Sequence, residues 1–172
     1  MEFINKIRRF ILFFILRRKT ANHKNSNPIS LQLAKNIGII FNAENIQRND
    51  IIVEFTKHLK LLHKEVQLLG YLPKRDFGFQ YPFPFITDKD LNWFGKPGGG
   101  TSGFFMNEPF DLIINFCVDE CMPLEYISGI SKAKFRVGFN KETNNANYDL
   151  ILIPKEKSDI SSQIQNLEKY LK

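Results

Sequence analysis

The residues that could do chemistry fall in three groups. The first is the run Gly98-Gly99-Gly100-Thr101-Ser102-Gly103, with Lys96 just before it. A phosphate cradle sets glycines between a strand and a helix N-terminus, where backbone N–H groups and the helix dipole meet the anion. Here the preceding residues are Trp93-Phe94-Gly95-Lys96-Pro97, which do not read as a strand. Neither GxxxxGK[ST] nor GxGxxG is present. The run is expected to be a flexible surface loop.

The second group is Cys117 and Cys121, a C-x₃-C at the end of a predicted strand. Zinc takes four ligands, and His23, His58 and His63 lie far away in sequence. His58 and His63 are five apart on a predicted helix and do not share one face well. No metal site and no cofactor are assigned. Two cysteines are also too few for a disulfide framework, and a reducing, cytoplasmic setting suits them.

The third group is polar and acidic: Asn42, Glu44, Asn115, Asp119 and Glu120. Each sits at or just after the carboxyl end of a predicted parallel strand, where open α/β sheets bind their ligands. They are the candidate small-molecule site, for a nucleotide or nucleotide-sugar. Helix capping and turn formation by the same residue types is the competing reading. No catalytic residue is assigned.

These residues must be positioned by an α/β domain. Asn36–Phe41 reads as a buried strand, Ile46–Glu65 as a helix and Val66–Leu72 as a second strand, which together make a βαβ unit. The middle, from Pro73 to Pro109, is irregular, with a short strand at Phe83–Ile86 and a helical turn at Asp88–Trp93. Trp93, with Phe94, Phe104 and Phe105, is expected to cover the core or a sheet edge, with a partner surface as the alternative. Asp111–Phe116, Lys134–Phe139 and Tyr148–Ile153 read as strands, and Pro123–Ser131 and Ser158–Lys172 as helices. Phe110-Asp111-Leu112 and Tyr148-Asp149-Leu150 open two of the strands alike. The near-continuous apolar runs suit a parallel sheet. The fold class is therefore α/β: a Rossmann-like, mostly parallel sheet of four to six strands with helices on both faces, preceded by a basic N-terminal helix.

Charge divides the chain differently. Of 172 residues with a net charge of +6, the first thirty hold seven Lys/Arg against the single acid Glu2. The rest is balanced, so the basic pI of 9.3 belongs to an N-terminal arm. A nucleic-acid-binding domain would spread basic charge over a face of its fold. In the arm, an apolar run from Phe10 to Leu16 is bracketed by Arg8-Arg9 and Arg17-Arg18-Lys19. It is too short for a transmembrane helix, which needs about 20 apolar residues, and lacks the small residues of a signal-peptide cleavage site. Residues 1–19 form a basic amphipathic helix in this reading, 20–30 a linker and 31–172 one domain.

That helix suits an anchor on an anionic membrane surface or a protein partner, with contacts from Lys6, Arg8, Arg9, Phe10, Phe13, Phe14, Arg17, Arg18 and Lys19. The alternatives are burial of its apolar face on the domain or on a second copy, and RNA binding. A non-enzymatic cytoplasmic module, peripheral on the inner membrane face, is the first functional expectation. A nucleotide or nucleotide-sugar binder or transferase is the second, and an RNA- or ribosome-associated protein the third.

The stretches NIGIIFNAEN, VQLLGYLPK, DKDLNWFGKP, NEPFDLIINF, MPLEYISGISKAKFRVGFN and YDLILI together resemble an uncharacterised family common in Bacteroidota, a domain of unknown function. The resemblance covers nearly the whole chain and implies no activity. Where that family has a charged helical stretch between FGKP and NEPFD, this chain has Gly98 to Phe105. PFDLIINF followed by LEYISGISKAKFRVGF is also similar, over about 30 residues, to one Rossmann-like half of the heptosyltransferase-type glycosyltransferases. This implies a shared fold. Those enzymes work between two such domains, and this chain has room for one.

Overall fold

The computed structural model describes residues 27–74, 78, 80–119, 121–139, 147–154 and 159–172. The N-terminal helix expected over 1–19, and Glu120, lie outside them. In chain order the elements are β1 (Asn36–Asn42), α1 (Ile46–Leu61), β2 (Glu65–Tyr71), β3 (Phe85–Ile86), a 3₁₀ turn (Asp88–Asp90), α2 (Gly100–Asn107), β4 (Leu112–Asn115), α3 (Met122–Ile130), β5 (Phe135–Gly138), β6 (Leu150–Ile151) and α4 (Ile160–Tyr170).

The six strands form one open sheet in the order β3-β2-β1-β4-β5-β6, and every pair is parallel. This is the Rossmann-like, doubly wound order. The strands need two covered faces because their apolar residues point both ways. Ile37, Ile39 and Phe41 of β1 face a core that α1 and α4 close with Ile52, Phe55, Leu59, Ile160 and Leu167. Ile40 and Ile113 face the other side, under Phe105 of α2 and Leu124 and Ile127 of α3.

The amino edge is built on a repeated device. The Asp111 carboxylate accepts hydrogen bonds from the N–H groups of Lys35 and Asn36 where β1 begins (2.8 and 3.0 Å). Asp149 does the same for the N–H of Arg136 in β5 (2.8 Å) and pairs with that buried guanidinium (3.2 Å). The aromatic residue before each Asp lies over a glycine of the adjacent strand, Phe110 over Gly38 and Tyr148 over Gly138. The alike openings of β4 and β6 thus fasten each strand to its neighbour.

Two expectations are corrected. The glycine-rich run is not a loop throughout: α2 begins at Gly100. Gly99 and Gly100 take positive φ (33° and 49°) at its start, the Ser102 hydroxyl bonds back to the Gly98 and Gly99 carbonyls, and Phe105 buries itself against Phe110. Tertiary anchoring overrides the weak helix propensity of glycine. Trp93 does not cover the core; it is 68 % exposed, on a tight turn where the N–H of Asn92 meets the Lys96 carbonyl (2.9 Å). Phe94 and Phe104 are exposed too, and Phe105 alone of the four is buried.

Candidate functional site

The chain leaves β1 toward β2 on one side of the sheet and later returns to place β4 on the other side of β1. The loops after β1 and β4 therefore diverge. They leave a crevice at the topological switch point, where doubly wound sheets hold their ligands.

In this protein the crevice encloses about 200 Å³. Asn42, Glu44, Asn45 and Arg48 line it from β1 and the start of α1; Phe116, Cys117, Val118, Asp119 and Cys121 line it from the loop after β4. Of the residues proposed from sequence, Asn42, Glu44 and Asp119 come together here. Asn115 does not line the crevice. It is buried behind it, donating from Nδ2 to the Tyr148 hydroxyl (2.7 Å) and accepting from the N–H of Cys117 (3.1 Å). Its role is to set the course of the loop.

Hydrogen bonds fix the β1 loop. The N–H of Glu44 donates to Asn42 Oδ1 (2.9 Å), and Asn42 Nδ2 donates back to Glu44 Oε2 (2.8 Å). Asn45 caps α1 by accepting from the N–H of Arg48 (3.0 Å), and the N–H of Ala43 is taken by the Tyr71 carbonyl. The turn-and-cap role expected of such residues is therefore present alongside the lining role. It also means that the N–H groups of Ala43, Glu44 and Arg48 are already used. Those three donors are not open to an anionic group, for which the crevice also offers a cationic side chain.

Arg48 is that side chain. It is half-buried, and one guanidinium nitrogen donates to the Phe116 carbonyl (3.3 Å), which ties α1 to the β4 loop and holds the charge against the crevice wall. Tyr71, at the end of β2, donates its hydroxyl to Asp88 (2.6 Å). Burial first, then Asp88 and the nearby carboxylate Glu44, push the Tyr71 hydroxyl well above its ordinary range, so it stays a neutral donor. The Cys121 thiol is likewise raised by burial and by its hydrogen-bonded neighbour Cys117, which disfavours the nucleophilic thiolate. Among the described residues, no group of three or more His, Cys, Asp or Glu is placed to hold a metal ion.

Reading the sequence missed Arg48, Asn45 and the two thiols as crevice residues. Arg48 lies one turn into a helix, and only the Asn45 cap three residues earlier pointed toward it. The C-x₃-C spacing raises metal ligation and carries no sign that both thiols line a crevice.

The family model described as a family of unknown function, DUF6913, matches residues 8–172. No curated protein matches the chain.

Proposed function

We propose that this chain, which belongs to the family of unknown function DUF6913, is a binding module that holds a small, hydroxyl-rich anionic ligand of the nucleotide-sugar or sugar-phosphate class at its carboxyl edge. The observation that carries the reading is the convergence of Glu44, Asp119 and Arg48 on one crevice at the switch point. Carboxylates accept hydrogen bonds from vicinal hydroxyls, and a guanidinium pairs with a phosphate oxygen. The volume suits one sugar-sized group rather than a whole dinucleotide, since pockets that bury complete drug-sized ligands run from roughly 300 Å³ upward. Arg48 supplies the charge for one phosphate group.

The test is a melting experiment with ribose 5-phosphate, glucose 1-phosphate, ADP-ribose and UDP-glucose. A ligand present at 100 times its dissociation constant stabilises by about 2.7 kcal/mol, which in a chain of this size raises Tm by about 5–10 °C. Arg48→Ala and Glu44→Gln should each reduce the shift. No shift with any probe would refute the reading.

A second reading concerns the arm. The concentration of seven bases and an apolar run within the first nineteen to thirty residues supports docking on an anionic membrane surface. Among the described residues, no helix is long and apolar enough to cross a membrane. The two readings are compatible, since one concerns the carboxyl edge and the other the chain before Asn27.

A further inference from the structure

The crevice wall that comes from the β4 loop holds the chain's only two cysteines, Cys117 and Cys121. Both are buried and both are free thiols. Each is fixed through its backbone. The N–H of Cys117 donates to Asn115 Oδ1 (3.1 Å), and the Cys121 carbonyl accepts from the N–H of Glu125 in α3 (2.9 Å). Their side chains belong to one apolar cluster, in which the Cys121 thiol is hydrogen-bonded to Cys117. Cys121 also takes the N-cap position of α3, where the nearby N–H of Leu124 favours its thiolate. A helix N-terminus activates a cysteine, and a second thiol beside it can resolve an oxidised sulfur.

We infer that Cys117 and Cys121 are a redox pair, which hydrogen peroxide entering the crevice converts to an internal disulfide. One sulfur, as its thiolate, attacks the peroxide O–O bond, giving a sulfenic acid and releasing water. The second sulfur then attacks the sulfenic sulfur, forming the S–S bond and releasing another water. The two thiols give up two electrons and two protons, and one peroxide becomes two waters. Burial raises the Cys121 thiol more than Leu124 lowers it, so the pair reacts slowly at neutral pH and answers sustained oxidant rather than a brief pulse. Size selects the oxidant. The crevice, at about 200 Å³, is smaller than the roughly 300 Å³ that a drug-sized molecule needs; peroxide enters it and glutathione disulfide does not. The new bond closes the loop that carries Val118 and Asp119 along the crevice. The thiols react whether or not the crevice takes a ligand, so the redox pair stands apart from the sugar-phosphate reading.

The experiment treats the folded full chain with hydrogen peroxide or with glutathione disulfide, alkylates the remaining thiols in denaturant and measures the intact mass. With peroxide, the expected result is a monomer lighter by two hydrogens, with both thiols lost to alkylation and both restored by dithiothreitol. With glutathione disulfide, both thiols should remain open to alkylation. Cys117→Ser and Cys121→Ser cannot close the bond, and peroxide with dimedone should leave a dimedone adduct on the cysteine that remains. Two alkylated thiols after peroxide, a disulfide-linked dimer in place of the internal bond, or a glutathione adduct would overturn the inference. So would the absence of a dimedone adduct from both variants. The mass is read on protein without ligand, so a negative result leaves the sugar-phosphate reading to its own melting test.

Discussion

Asp111 shows how one side chain joins three segments. Burial alone would raise its carboxyl, but hydrogen bonds from Lys134 and from the N–H groups of Asn36 and Lys35 outweigh that and hold it down at about 2. A carboxylate whose pKa is lower folded than unfolded stabilises the fold fully above the unfolded value near 4. That contribution is lost as pH falls from about 4 to about 2. Urea midpoints of the wild type should therefore drop across this range, and Asp111→Asn should be less stable at neutral pH and flatter in acid. Equal acid sensitivity of the two proteins would contradict the assignment. The alike openings Phe110-Asp111 and Tyr148-Asp149 were legible in sequence. Their purpose was not, because it depends on which strand lies beside each.

At the scale of elements, the strands were readable because buried parallel strands leave near-continuous apolar runs. Helix α2 was not, since its glycines argue against a helix and its support comes from Phe105 on Phe110, a contact no local pattern reveals. The end of α1 was placed too late for a similar reason. The helix closes by a Schellman motif, with the N–H of Lys64 on the Leu59 carbonyl and that of His63 on Lys60, and the left-handed position falls on His63 (φ 58°) where glycine is usual. His63→Gly should relieve about 1 kcal/mol of backbone strain and raise Tm by about 2–4 °C. The strand seams predict the opposite sign. A Cβ at Gly138 would lie 2.8 Å from the Tyr148 ring, whose hydroxyl is held by Asn115. Gly138→Ala should cost about 1–3 kcal/mol, visible as a lower urea midpoint.

For the whole molecule, the strand order gives the candidate residues their meaning. From sequence, Asn42, Glu44 and Asp119 were three polar residues after two strands. The order β3-β2-β1-β4-β5-β6 makes those strands neighbours at the switch point, and sequence alone does not fix such an order. It also puts the polar crevice at the carboxyl edge, opposite the exposed Leu33 and Leu61 at the amino edge. The proposed function turns on the crevice. Its most direct measurement is the melting temperature of wild type and Arg48→Ala with the sugar-phosphate and nucleotide-sugar probes. The account predicts a rise of about 5–10 °C with at least one probe at saturation, reduced or abolished in Arg48→Ala. Unchanged melting with every probe, or an equal rise in the variant, would contradict it.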